Sequence, residues 1–348
     1  MYSRQFTQFI FGLVLLISSS FAFGNTEFTY NVIDGGIEVT GCVDECPSDL
    51  NIPSVIDGYV VKKIGDYAFY NGGLNSATFP DTLEVIGYSA FKQNFLKSIF
   101  IPDSVISIGH SSFASNQLEN LVIPNTLRFI PFHAFIYNNL NSVTLPEGLI
   151  RVGIGAFSDN NLTSISLPES LEMIGSRAFG SNNLTQITLP ESLKYIENQA
   201  FQLNDIFEIT IPKSVIFIDD EAFWYNELNI IHFNGDMPTI AFTAFDKNSI
   251  TSVTYCQNTE NLFWATNLIA GVLPQPRNDC GTQYSGLFNF AMFDIDQSGS
   301  VDALSDGLIL LRYFFGLRGD SLISGAISPD ANRTSAADIE AYIESHMP

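Results

Sequence analysis

A short acidic segment near the C-terminus carries oxygen-bearing side chains at alternate positions. The candidate metal ligands are Asp294, Asp296, Ser298, Ser300, Asp302 and Asp306. Oxygen ligands at loop positions 1, 3, 5, 7 and 9, with a Gly at position 6 for the sharp turn, are the arrangement that holds calcium in helix-flanked loops. Ser305 occupies position 12, where an acid is usual, so Asp306 would bind one residue late. The pattern predicts a calcium site with an altered last ligand; the alternative is an acidic turn that binds nothing.

A second and poorer loop follows about thirty-six residues later. Its candidate ligands are Asp330, Asn332, Thr334 and Asp338. This loop lacks the central Gly and is shortened, so a cation-free structural copy is the alternative to a second calcium site. Apolar helical segments come after both loops, at 306–315 and 339–343.

This pair of loops, with the Leu-x-Arg-Tyr helix that begins at Leu310, resembles a dockerin or EF-hand-like calcium domain over residues 289–348. The resemblance implies calcium as the cofactor and docking onto a cohesin-like protein as the role. It rests on one good loop and one poor one. A domain of this kind would gain folding free energy directly from the metal.

Most of the remaining chain is a repeat of 22 residues, marked by one Phe in each unit. The nine Phe residues are Phe69, Phe91, Phe113, Phe135, Phe157, Phe179, Phe201, Phe223 and Phe245. Ala precedes this Phe in every unit except one, where Ser112 replaces it, and Asn follows three residues later from the second unit onward. Periods of about 20–29 residues are typical of stacked leucine-rich repeats. We therefore predict a solenoid of nine units over residues 64–255.

The spacing within a unit predicts one short strand per coil. Ile165 and Leu167 alternate as the buried positions of a half-buried strand do, and Pro168 then ends the strand. We expect the Phe column to fill the interior, the Asn column to satisfy buried backbone groups, and a Gly such as Gly153 to permit a tight bend. The predicted fold class is a repeat solenoid of short parallel β-strands, turns and 3-10 segments, followed by the small α-helical calcium domain.

The unit N-x-L-x-x-I-x-L-P-x-x-L-x-x-I-G-x-x-A-F closely resembles the BspA-like leucine-rich-repeat family, over roughly residues 50–255. That resemblance implies a surface or secreted binding protein, of a kind that includes bacterial adhesins. It implies no defined ligand.

The outward positions of the predicted strands form a ribbon about 40 Å long. Ser and Thr dominate this ribbon, which could bind a glycan or a protein, although Thr is favoured in strands whether or not anything binds. The candidate contact residues interrupt the polar pattern or sit together after a repeat Phe: Phe100, Val122, His232, Trp224 and Tyr225. The aromatic residues of the turn could equally pack against their own coil.

The N-terminus has the order of a secretory signal peptide, with Arg4, an apolar run over 9–17 and small residues up to Gly24. An uncleaved membrane anchor is the alternative, and no membrane span is expected once the signal is removed. The predicted divisions are a signal peptide (1–24), an N-terminal cap (25–63), the solenoid (64–255), a C-terminal cap and linker (256–288, with Pro274 opening the linker) and the calcium domain (289–348).

Four cysteines flank the repeats and fit an exported protein. We expect a Cys42–Cys46 disulfide in the N-terminal cap and a Cys256–Cys280 disulfide in the C-terminal cap. Four cysteines allow three pairings, and a metal site at the first pair is the sharper alternative.

Charge and motif content restrict the function. Fifteen Lys and Arg stand against 37 Asp and Glu, a net charge of -22, so nucleic acid and anionic membrane surfaces are poor partners. The four His have no metal or triad spacing, and no nucleophile-elbow or zinc-protease motif is present, so we predict no catalysis.

The function favoured by these features is an exported binding or adhesion-type protein, secreted or at a bacterial cell surface, that holds a protein or a glycan on its repeats. Its calcium tail would dock onto a cohesin-like partner or stabilise the chain. The alternatives are a dockerin-borne component of a polysaccharide-degrading assembly and a purely architectural envelope protein.

Overall fold

The computed structural model describes residues 27–235, 237–256, 269–277, 309, 323–324 and 335–346. These residues are mainly strands and turns, with helix α1 at Ala336–His346. The strands are β1 (Phe28–Ile33), β2 (Gly36–Cys42), β3 (Asp49–Asn51), β4 (Val55–Ile56), β5 (Tyr59–Ile64), β6 (Ser76–Thr78), β7 (Val85–Ile86), β8 (Ser107–Ile108), β9 (Asn120–Val122), β10 (Phe129–Ile130), β11 (Ser142–Thr144), β12 (Arg151–Val152), β13 (Met173–Ile174), β14 (Tyr195–Ile196), β15 (Glu208–Ile211), β16 (Phe217–Ile218), β17 (Ile230–Phe233), β18 (Thr239–Ile240), β19 (Ser252–Cys256) and β20 (Gln275–Arg277).

The 22-residue unit forms a coil with strands on two sides of one core. The predicted strand before the Pro is confirmed in six coils, in β6, β9, β11, β15, β17 and β19, which we call the first sheet. It is not formed at 98–101, at 164–167, which includes Ile165 and Leu167, or at 186–189. A second strand, which the sequence did not predict, stands before the Gly position in β7, β8, β10, β12, β13, β14, β16 and β18, the second sheet. Paired strands within each sheet run in parallel at a 22-residue offset, as in Arg151 with Met173. The pairing is interrupted between β8 and β10 in the second sheet, and between β6 and β9 and between β11 and β15 in the first. One apolar cluster runs through all the coils.

The Phe column lies in the core as predicted. From Phe91 to Phe245 each ring stacks on the next, with centroids 5.3–5.6 Å apart and planes within 1–13° of parallel. The rings are almost wholly buried. Removing one such side chain from water contributes about 1.5–3 kcal/mol. The column is therefore a main source of cohesion between coils.

The Asn column satisfies backbone groups, as predicted. The Asn160 amide nitrogen donates to the carbonyl oxygens of Phe135 in the preceding coil (3.0 Å) and Phe157 in its own coil (3.1 Å). Its Oδ1 accepts the Leu140 N–H at 3.0 Å. The same bonds recur in neighbouring coils, as at Asn182. Each Asn thus ties two consecutive coils together without exposing a polar group to the core.

The predicted role of Gly153 as a bend residue is wrong. It has no left-handed backbone; instead, a Cβ there would lie 2.6 Å from the Ile130 carbonyl oxygen, so Gly allows two coils to approach closely. The left-handed turns are made two and six residues beyond the Gly position, mostly by other residues, as at Arg177 (φ 56°) and Ser181 (φ 54°). These segments are single turns, closed by hydrogen bonds such as the one from the Ala178 N–H to the Gly175 oxygen (3.0 Å). The predicted 3-10 segments are not formed in the described coils.

Both ends of the array are closed by added strands. The β1–β2 hairpin precedes the repeats, and β2 pairs in parallel with β5 at the start of the second sheet. Cys42 and Cys46 form a disulfide, with 5.4 Å between their Cα atoms. At the other end β20 pairs with β19, so residues 275–277 extend the first sheet where composition predicted a linker. Cys280 lies outside the described residues, and its pairing with Cys256 stays a prediction.

Candidate ligand-binding surfaces

The outer face of the first sheet carries two of the predicted contact residues side by side. Phe100 is 72% exposed and Val122 is 61% exposed. They occupy the same position in adjacent coils, and Val122 pairs with Thr144 in the next strand. Such exposure of apolar side chains on a Ser- and Thr-rich surface marks a place where a partner gains by covering them. The structure brings these two candidates together.

His232 lies on the same face, six coils from Phe100, but is held by its own neighbours. Its Nδ1 lies 2.6 Å from Thr254 Oγ1, and its Nε2 lies 3.2 Å from a Glu208 carboxylate oxygen. The three residues link the adjacent strands β15, β17 and β19. The imidazole is therefore part of an internal network and less available to a ligand than its position in the sequence predicted.

Trp224 and Tyr225 lie on a bend between the sheets. Tyr225 is exposed with left-handed backbone (φ 55°), and its ring centroid is 5.3 Å from that of the half-buried Trp224. The two rings therefore contact each other, and Tyr225 stays exposed. It does not join the Phe100 surface.

A shallow groove of about 400 Å³ crosses the first-sheet face between the Val122 and His232 positions, and sequence reasoning missed it. Glu208 borders it and is also the carboxylate that contacts His232. The other lining residues come from three consecutive coils: Gln186, Ile187, Thr188, Leu189, Glu191, Phe207, Thr210, Pro212 and Asn234.

A family model for the BspA type leucine rich repeat region matches residues 46–162 and 151–266, in six copies. The two matches together cover more than half of the chain. The chain belongs to the BspA-type leucine-rich-repeat family. No curated protein matches it significantly.

Several solved structures are similar to this BspA-type chain. A leucine-rich repeat protein from Bacteroides ovatus is 21% identical, with a TM-score of 0.42, over 75% of this chain and 80% of the other. A leucine rich cell surface protein from Faecalibacterium prausnitzii is 19% identical, with a TM-score of 0.37, over 68% and 95%. The pneumococcal vaccine antigen PcpA is 17% identical, with a TM-score of 0.41, over 74% and 94%.

The predicted calcium ligands fall mostly outside the described residues, including the whole first loop, Asp330, Asn332 and Thr334. Asp338 is described and lies in the first turn of α1. Its N–H donates to Ser335 Oγ (3.1 Å), and that hydroxyl donates to the Asp338 carboxylate (2.6 Å), so the two residues cap the helix. Within the described ranges, no three His, Cys, Asp or Glu side chains are grouped so that they could hold a metal. In the same ranges, no helix has the length and apolarity to cross a bilayer.

Further exposed apolar side chains of the BspA-type array lie on the second-sheet side, where no candidate was predicted. Its exposed side chains are Tyr88, Ile106, Phe129, Phe132, Ile150, Ile154, Ile216 and Phe242. Aromatic rings of neighbouring coils contact each other along one edge. The centroid of the His110 ring lies 6.4 Å from that of Tyr88 and 5.9 Å from that of Phe132. Recognising the second strand in the sequence would have placed these residues outward.

Basic groups accompany the first half of this apolar surface. The Arg151 guanidinium carbon lies 5.7 Å from the centre of the Phe129 ring, and Arg128 is exposed beside it.

Burial lowers the pKa of His133, and the positive charges of Lys92 and Arg177 lower it further. The imidazole therefore stays neutral to a lower pH than a free histidine.

Proposed function

We propose that the protein is an exported, non-catalytic binding protein of the adhesion type, which holds a protein ligand on the outer face of its first sheet. The exposed Phe100–Val122 pair supports this most directly. Protein interfaces concentrate their binding free energy in a few apolar or aromatic side chains surrounded by polar residues. A polar ribbon with one apolar pair has that composition.

The internal architecture explains how such a face can be specialised. The Phe and Asn columns supply packing and backbone hydrogen bonds from inside, so the outward residues of each coil are free to differ without loss of the fold. The outward side chains change from Phe100 and Val122 to Thr144 and His232 along the array. A rigid support with variable outward positions suits recognition of an extended protein surface.

The test compares the proteins captured by the full chain with those captured by a Phe100→Ser/Val122→Thr variant. Both would be immobilised and exposed to envelope and culture-fluid fractions, and bound proteins would be quantified by mass spectrometry. Ile106→Ser, on the second sheet, is the matched control because it removes a similar exposed apolar side chain. We expect one or a few proteins to be lost only with the double variant. Equal capture by all three chains would contradict a ligand site on the first sheet.

We also infer that the tail from 289 to 348 binds calcium and docks onto a cohesin-like protein, which would fix the array at a surface. The ligand spacing from Asp294 to Asp306 supports this, as does the capped, amphipathic helix α1, whose Ala336, Ile339 and Ile343 are buried on one face. A ligand that binds only the folded state stabilises it by about 2.7 kcal/mol at a hundredfold excess over Kd.

Calcium binding would be measured by titration calorimetry on chelator-treated full chain. We expect a saturable heat that is lost in Asp294→Asn/Asp296→Asn and retained in Asp205→Asn, an exposed acid of the repeats. No heat in the native chain would exclude a calcium role. Deleting residues 289–348 then distinguishes a ligand-binding protein from an architectural one. A ligand-binding array keeps its ligand without the tail, whereas an architectural component loses its location.

A further inference from the structure

The groove on the first-sheet face begins three coils beyond Val122 and differs in composition from the Phe100–Val122 pair. Its volume of about 400 Å³ falls within the range of about 300–1,000 Å³ that small-ligand sites occupy. Within the part of the chain that the structure describes, Phe207 is the only exposed apolar side chain of its lining. The polar lining side chains include Gln186, Thr188, Glu191, Glu208 and Thr210. A polar groove of this kind lacks the apolar anchors that a protein partner uses.

Several polar groups along the groove are not used by the fold. Gln186 and Thr188 are exposed and Thr210 is half-buried, and none of these side chains hydrogen-bonds to another described residue. The strand is not formed at 186–189, and the backbone N–H and C=O groups there make no hydrogen bond to the described coils on either side. Such groups must be satisfied by water or by a ligand. The groove therefore offers both donors and acceptors at close spacing.

An aromatic ring and two carboxylates accompany these groups. Phe207 is 42% exposed, and the face of an aromatic ring carries partial negative charge that attracts polarised C–H groups. Glu208 is held beside His232, with 3.2 Å between its carboxylate oxygen and the imidazole Nε2. Glu191 is exposed. Carboxylates accept strong hydrogen bonds from hydroxyl groups.

We infer that this groove binds a neutral oligosaccharide, at a site separate from the proposed protein site at Phe100 and Val122. The hydroxyls of a sugar chain match the amide, hydroxyl, carboxylate and backbone groups of the lining, and the C–H face of a sugar ring matches Phe207. The described lining holds two acids and no Lys or Arg, so glycans that carry carboxylate, sulfate or phosphate groups are repelled. The three coils span about 10 Å at the spacing of neighbouring strands, which favours linked sugars over a single one.

A glycan array probed with the labelled full chain tests the class of ligand. The array would carry neutral glucans, mannans, galactans and xylans beside sialylated, uronic-acid-containing and sulfated glycans. We expect binding to one or more of the neutral structures. Absence of binding to every neutral glycan overturns the inference, and so does binding confined to the anionic ones.

Titration calorimetry with the array glycan that binds most strongly then locates the site. Phe207→Ala and Glu191→Ala should each weaken the affinity about tenfold, the change expected from the loss of one well-formed contact. Phe95→Ala removes another exposed aromatic ring, and Glu147→Ala removes an exposed acid at the same repeat position as Glu191, both outside the groove. These two matched controls should bind as the native chain does, and thermal melting of all four variants checks the fold.

The Phe100→Ser/Val122→Thr variant distinguishes the two sites, because it should keep the native affinity for the glycan. Loss of glycan binding in that variant overturns a separate groove site. Native affinity in both Phe207→Ala and Glu191→Ala overturns the assignment to the groove. If these two variants instead lose a captured protein and keep the glycan, the groove belongs to the protein ligand and the inference is wrong.

Discussion

Replacing Asn160 by Ala should destabilise the protein, because the Asn160 side chain is buried between two coils. The Asn160 side chain is the shared partner of four backbone groups in two coils: the Leu140 N–H and the carbonyl oxygens of Phe135, Phe157 and Ser158. Ala would leave the buried Leu140 N–H without its Asn160 partner, whereas the carbonyl oxygens of Phe135 and Phe157 would keep the amides of Asn138 and Asn182. A buried group that loses its hydrogen bond costs about 1–3 kcal/mol, so we expect a loss of about 1–3 kcal/mol in the free energy of unfolding.

The assay is urea denaturation followed by far-ultraviolet circular dichroism, with Asn161→Ala as the matched control. Asn161 is the next residue, of the same type, and is exposed. Its replacement should change the free energy of unfolding by no more than about 0.5 kcal/mol. If Asn160→Ala and Asn161→Ala unfold with the same midpoint, the Asn column does not hold the coils together and the reasoning is refuted.

A second substitution at the same site separates hydrogen bonding from volume. Asn160→Asp keeps the acceptor for the Leu140 N–H but places a carboxylate against the carbonyl oxygens that Asn160 donates to. The folded state then raises the pKa of this Asp, so the protein is least stable at neutral pH and regains stability as falling pH protonates the group. Asn161→Asp should show no such recovery.

Further predictions concern single columns. Phe157→Ala should cost about 3–5 kcal/mol in urea denaturation through the cavity that it leaves, and an unchanged midpoint would place the Phe outside the core. Ser112→Ala should raise the stability by about 1 kcal/mol, because the buried Ser112 hydroxyl has no hydrogen-bond partner among the described residues; a lower melting temperature would contradict this. Gly153→Ala should cost about 1–3 kcal/mol because its Cβ meets the neighbouring backbone, whereas Gly148→Ala, with 3.6 Å to its nearest neighbour, should be nearly neutral. Because the folded pKa of His133 is lowered, its contribution to stability is complete above the unfolded pKa of about 6.5 and is lost as pH falls below it; His133→Asn should flatten that part of the stability–pH curve, and an unchanged curve would contradict the assignment.

The inner columns could be predicted because each follows from one residue type at one spacing. A Phe every 22 residues must fill the same place in each coil, and an Asn in fixed register can satisfy the same backbone groups repeatedly. The second sheet could not be predicted in this way. Its strands are only two residues long, as in Met173–Ile174, which is too short for an alternating pattern to emerge. Missing these strands also concealed the outward direction of Ile106 and Phe129.

The candidate contact residues were harder to judge because exposure depends on neighbours 22 residues away. Phe100 is exposed, but His232 is engaged by Thr254 and Glu208, which no local pattern indicates. Gly153 was misassigned for a related reason, since the atom that requires Gly there belongs to the preceding coil. Contacts between coils therefore determine which side chains are exposed and where Gly is required, and the sequence of a single unit does not show either.

Site-specific photo-cross-linking tests the proposed ligand face most directly. A photoreactive residue would be placed at Thr144, outward on the first sheet beside Val122, and separately at Asn161, exposed at a bend. After irradiation in envelope and culture-fluid fractions, the account predicts a discrete protein adduct from position 144 and none from position 161. Adducts from the bend position, with none from the first sheet, would contradict it.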